Sequence, residues 1–79
     1  MRLDKYLKVS RLIKRRTTAN DACNAGRVLV NGKVAKASLN VEKDDIIEIN
    51  FGNKAVKVKV LDLKDTSKKE EAKELFEYL

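Results

Sequence analysis

The side chains of this 79-residue chain best suited to chemistry are cations, and they are bunched at one end. Through Lys36 the basic residues are Arg2, Lys5, Lys8, Arg11, Lys14, Arg15, Arg16, Arg27, Lys33 and Lys36, against only Asp4 and Asp21. That stretch carries a net charge of +8, whereas from Ala37 onward eight lysines meet ten carboxylates, a net of −2. Every arginine lies in the basic stretch. A guanidinium is planar and permanently charged, and it can grip a phosphate through two parallel hydrogen bonds. Scattered lysines with acids among them would simply solvate a small protein; here the balancing acids lie elsewhere. The split predicts a polyanion bound by one face, and a nucleic-acid backbone is the polyanion such a face suits.

The same inventory excludes much else. There is no histidine, so the usual general base and the Ser-His and Cys-His nucleophile pairs are absent. A single cysteine, Cys23, rules out a disulfide framework and a multi-thiolate metal site. The carboxylates fall on polar segments with no apolar surroundings to shift a pKa. We therefore expect no catalytic residue, no cofactor and no metal. No apolar run approaches the length of a membrane span, and the opening "MRLDKYLKVS" lacks the apolar stretch of a secretory signal. An unpaired thiol without an export signal suits the reducing cytoplasm.

The elements that must position the cations can be read from local pattern. "RLDKYLK" sets Leu3 and Leu7 at i, i+4 with Tyr6 beside them, which predicts a short helix. "VSRLIK" reads as a connection that carries Leu12 and Ile13 inward. In "RRTTANDACNAG" the residues Ala19, Ala22, Cys23 and Gly26 share one helical face of small side chains, and Gly26 stands where a helix C-cap is expected. Asn31-Gly32 in "GRVLVNGKVA" predicts a two-residue hairpin whose Val28, Val30 and Val34 brace that helix face. "DIIEINF" (45–51) and "KAVKVKVLDL" (54–63) predict two more strands joined at Gly52-Asn53. In "SKKEEAKELFEYL" a capping box of Ser67 and Glu70, with a stripe of Ala72, Leu75, Phe76 and Leu79, predicts a C-terminal helix closing the core. The fold class is α+β: two N-terminal helices on a small antiparallel sheet with hairpins, plus that helix. The expected division is residues 1–63 as the binding domain and 64–79 as an amphipathic helix packed on it.

The candidate interface is Arg2, Lys5, Lys8, Arg11, Lys14, Arg15 and Arg16, with Arg27 and Lys33 as secondary contacts. Asp4 is the only acid among the first twenty residues. It serves either the helix dipole or an arginine such as Arg16, held in a fixed pose. Cys23 reads as core, and Tyr6 as a core edge in preference to a base-stacking ring.

"RLDKYL", "RRTTANDACNAGRVLVNGKVA" and "DDIIEI" together resemble the RNA-binding domain named after the fourth small-subunit ribosomal protein, the S-four domain. The resemblance implies the αL-motif arrangement, two helices packed on the hairpin with their basic surface in structured RNA. By position Arg2, Lys5, Arg11 and Arg16 match the family's RNA-facing residues, and Lys14 and Arg15 extend that face. Two departures stand out. Arg15 occupies a position where the family often has a Ser or Thr N-cap, so Thr17 or Thr18 is expected to start the helix, and Asp44 replaces a glycine common before the "DII" strand. Most members carry a catalytic unit, for which this chain leaves no room. It is most similar to the small stand-alone branch related to the fifteen-kilodalton heat-shock protein. A monomer is expected, and membership there implies binding to obstructed large ribosomal subunits through rRNA and peptidyl-tRNA. It also implies an RqcH-type partner that elongates the stalled chain with alanine. The residues themselves leave open a ribosome recycling or assembly factor, an RNA-binding subunit of an enzyme on another chain, and an anionic-membrane binder. The last is disfavoured because no apolar stripe interleaves the basic face.

Overall fold

Helix α1 (Leu3–Val9) forms where Leu3, Tyr6 and Leu7 fall on one side and all three are fully buried. Its N-terminus has no side-chain cap. Instead the amides of Leu3 and Asp4 donate to the carbonyls of Leu39 and Ala37, and the Lys5 amide donates to the Asp4 carboxylate. Three of the amides that a helix leaves unpaired are thereby satisfied, two of them by a distant segment. The structure, a computed structural model, describes residues 1–65 and 68–79.

A turn through Arg11, at φ 63°, leads to α2 (Arg16–Asn24). Arg15 is itself the N-cap residue in extended conformation, so the helix starts ahead of Thr17 and Thr18 and not at either of them. No side-chain cap holds it. Ala19 and Cys23, both small and buried, form the face against which α1 packs. The helix ends in a Schellman motif: the Gly26 amide donates to Cys23 and the Arg27 amide to Ala22, with Gly26 at φ 74°.

Strands β1 (Val28–Val30) and β2 (Lys33–Val34) are joined by Asn31 and Gly32 at φ 53° and 83°. Two left-handed residues make this the type I′ turn that matches the twist of paired strands. The Asn31 side chain also accepts from the Ile46 amide and donates to Asp45. Strands β3 (Ile46–Phe51) and β4 (Lys54–Val60) form the long central hairpin. A short helix α3 (Lys69–Ala72) and strand β5 (Phe76–Tyr78) complete the chain. The antiparallel sheet runs β2-β1-β3-β4-β5. Its register sets Val28 opposite Ile49, Val30 opposite Ile47 and Ile47 opposite Val58. This row, with Val60, lies against Leu3, Tyr6 and Leu7 in one core. Val34 does not join it; its side chain is exposed.

The α+β class is as expected, with one correction. The tail is not a single helix: after one turn it becomes β5, pairing Val58 with Tyr78 and Val60 with Phe76. Of the expected stripe, Ala72 and Leu75 are buried, while Phe76 is half-buried and Leu79 exposed. Lys68 stands at the N-cap of α3, and the expected Ser67 cap lies outside the described residues. The edge of β4 explains the outcome. A four-residue helix stabilises little by itself, whereas the strand satisfies a row of β4 backbone groups and brings aromatic residues with high strand preference onto them.

Candidate nucleic-acid interface

The candidate interface is organised around a buried acid. Asp4, on the first turn of α1, is 3 % exposed. One oxygen accepts from the Lys5 amide at 2.8 Å, from Arg2 Nε at 3.3 Å and from Arg16 Nη2 at 3.5 Å. The other accepts from Arg2 Nη2 at 3.3 Å and Asn20 Nδ2 at 3.4 Å. Burial alone would raise this carboxyl, but the bonds from Asn20, the Lys5 amide and Arg16 outweigh it and hold the pKa below the ordinary value. Asp4 stays ionised and ties α1 to α2. Both guanidiniums remain about half exposed, so each keeps donors facing solvent.

Of the sequence-derived candidates, Arg2 and Arg16 are thus brought together. Lys8 sits in the last turn of α1, Arg11 in the left-handed turn, and Lys14 and Arg15 lead into α2, all exposed. Lys5 differs from the expectation in being engaged: its ammonium lies 2.8 Å from Asp65, beyond β4. Arg27 and Lys33 stand apart. Arg27 follows the C-terminus of α2, about 15 Å along the helix from Arg16. Lys33 is on the edge strand β2, beside Val34 and Lys36. Tyr6 is fully buried, donates to the Leu75 carbonyl and is pushed up in pKa by that burial; its ring is not a stacking platform.

Three residues lie outside the sequence-derived candidates. Asn20 donates to Asp4 and accepts from Asn24 at 2.9 Å, so a directed chain runs from Asn24 to the buried carboxylate. Because a carboxylate only accepts, Asp4 dictates which way the Asn20 amide points. Lys36 flanks the cleft that Arg2, Asn20 and Asn24 line. The spacing of Arg16, Asn20 and Asn24, successive i, i+4 positions on one helix face, was the available signal. Among the described residues no group of His, Cys, Asp or Glu could hold a metal, and no helix is long and apolar enough to cross a membrane.

Comparison with known proteins decides the family. The model of the S4 domain matches residues 1–47, which include α1, α2, the first hairpin and the start of β3. The chain belongs to the S4 domain family. Within it, this S4 protein is 54 % identical over 79 residues to the RQC P-site tRNA stabilizing factor of Streptococcus pneumoniae, covering all of this chain and 90 % of that one. The protein of the same name from Bacillus subtilis is also 54 % identical over 79 residues, with 92 % of it covered. Among solved structures, the trimeric heat shock protein 15 of Vibrio cholerae superposes with a TM-score of 0.92 at 30 % identity, covering all of this chain and 81 % of that one. The solution structure of the hypothetical protein HP1423 gives 0.85 at 31 % identity, with 100 % and 96 % covered. The fifth strand lies outside the part that the S4 model matches.

Proposed function

We propose that the protein is a non-catalytic RNA-binding factor of ribosome-associated quality control, cytoplasmic and ribosome-bound. It holds peptidyl-tRNA in the P site of obstructed large subunits while an RqcH-type partner extends the stalled chain with alanine. The observation that carries this reading is full-length similarity, at 54 % identity, to proteins named RQC P-site tRNA stabilizing factor. The cationic surface of α1 and α2 supports it physically. Arg2 and Arg16 are held in place by Asp4 before any ligand arrives, which lowers the entropy lost on binding a phosphate. Lys8, Arg11, Lys14 and Arg15 extend the surface. Phosphate contacts fix register without reading bases, so tRNA and rRNA are recognised by shape. The protein acts by positioning, and as a monomer, although the Vibrio cholerae relative is described as trimeric.

The test is co-sedimentation with purified large subunits, with and without peptidyl-tRNA, across a salt series. Contact through Arg2, Lys8, Arg11, Lys14, Arg15 and Arg16 gives a slope of log affinity against log salt of about −4 to −5.5. Binding should be tighter when tRNA is present. A flat salt response, or equal binding to empty subunits, overturns the reading; the second result favours a recycling or assembly role.

A further inference from the structure

A second groove lies on the opposite side of α2 from the Asp4 cluster, as helical periodicity requires for Thr18 and Ala22 relative to Asn20. It measures about 290 Å³ and is lined in part by Thr18, Asp21, Ala22, Arg27, Asn50 and Phe51. Phe51 is the unusual member. It ends β3, is 47 % exposed and takes no part in the core. Gly52, at φ 65°, turns the chain immediately after it, and Lys54 is its cross-strand partner.

We propose that this groove takes one unstacked nucleobase of an RNA strand, a base bearing an exocyclic amino group, stacked on the Phe51 ring. The inference rests on the RNA-binding function proposed above. Three properties point to this occupant. An exposed aromatic face beside an alanine floor admits a flat, apolar ring. Arg27 in the groove and Lys54 across from Phe51 supply positive charge for the phosphates on either side of the base, charge that an apolar peptide does not need. Asp21, a carboxylate at the groove wall, accepts hydrogen bonds only. It pairs with the amino group of cytosine or adenine and repels the carbonyl that uracil presents at the same edge. Ile13, which also lines the groove, directly precedes Lys14 and Arg15 in the chain. A strand that passes Lys14 and Arg15 at the start of α2 can thus reach the groove and place one base in it.

The chain has no tryptophan, so Phe51→Trp introduces a single indole reporter at the stacking position. Titration with CMP and AMP should quench its fluorescence to saturation, with UMP at least about fivefold weaker. Arg27→Ala in that background should weaken quenching, and Asp21→Asn should abolish the preference against UMP. In otherwise unaltered protein, Phe51→Ala should lower large-subunit affinity roughly tenfold, the range of one base–aromatic stack, and Phe51→Tyr should retain it. Thermal melts exclude misfolding, to which an exposed ring contributes little. Quenching by no nucleotide, or equally by all, overturns the proposal. A Phe51→Ala defect on subunits without nucleotide quenching also overturns it, and assigns the groove to an apolar protein segment. If Phe51→Ala binds subunits like the wild type, the inference fails while the proposed function stands; if the wild type itself does not bind, the function fails instead.

Discussion

Replacing Asp4 by Asn separates two accounts of the cationic face, because they demand opposite signs. If the face works through charge alone, removing its buried acid raises RNA affinity. If Asp4 sets the poses of Arg2 and Arg16, affinity falls. Asparagine keeps the shape of the side chain but offers one accepting oxygen, so its amino group must face either the Arg2 Nε, Arg16 and Lys5 donors or the Arg2 Nη2 and Asn20 donors. Charge-assisted bonds of this kind contribute about 1.5–3 kcal/mol. Because both guanidiniums are half solvated, the net loss of stability is smaller, about 1–2 kcal/mol. In a domain of this size each kcal/mol lowers Tm by about 4–8 °C. Freeing two arginine side chains costs about 0.5–1.5 kcal/mol each when they must be ordered again on binding. RNA affinity should therefore drop about five- to 150-fold, less whatever the lost acid returns. Filter binding or co-sedimentation at low salt, on protein shown to be folded below its new Tm, measures the outcome. Unchanged or increased affinity in folded Asp4→Asn protein refutes the positioning role.

Other consequences of the structure are open to measurement. The lowered Asp4 pKa means that the unfolded state binds the extra proton first as pH falls below the ordinary value near 3.8. The stability due to Asp4 is complete above that value and is lost as pH drops through the lower folded one. Urea midpoints from pH 6 to 2.5 should show this loss in the wild type and a shallower one in Asp4→Asn. Leu75→Ala, at a fully buried side chain, should cost about 3 kcal/mol by urea unfolding; a loss below about 1 kcal/mol would mean that the tail is not part of the core. Asn31→Ala removes a left-handed residue and its bonds to Ile46 and Asp45, and should cost about 2 kcal/mol, with Asn31→Gly about half as damaging. Cys23 is buried, and that burial, then the nearby Asp4, pushes its thiol up in pKa. It should react with Ellman's reagent slowly in native protein and at once in guanidinium; rapid native reaction would place it at the surface.

The N-terminal half was legible because its signals are local and agree. Gly26 ends α2 and Asn31-Gly32 folds the hairpin through backbone preferences that act within a few residues. Asp4 stood out as the lone acid among the first twenty residues, but the sequence left it open between a helix-dipole charge and an arginine holder, a choice that only the distances to Arg2 and Arg16 show. The tail was not legible in the same way. "EAKELFEYL" carries helical periodicity, yet the register of Phe76 and Tyr78 against Val60 and Val58 depends on an open edge of β4 that no local window contains. The same holds for Lys5, whose partner Asp65 lies sixty residues on, beyond the end of β4, and for the start of α2, where Arg15 caps through backbone conformation alone. The exposure of Phe51 follows from where the β3–β4 hairpin ends, and periodicity within one strand does not report it.

The bond from the Tyr6 hydroxyl to the Leu75 carbonyl spans sixty-nine positions of sequence. Leu75 also takes the amides of Leu61 and Asp62, so it gathers the exit of β4 and the first helix at one point. Helix α1, the first element of the chain, is therefore fastened in part by one of its last residues. The amide bonds to Leu39 and Ala37 and the Asp4 cluster hold the start of the helix, whereas its Tyr6 hydroxyl is fastened only when residue 75 has docked. A chain that ends before residue 75 lacks this tie between its tail and α1, whereas the Asp4 cluster draws only on residues 2–20.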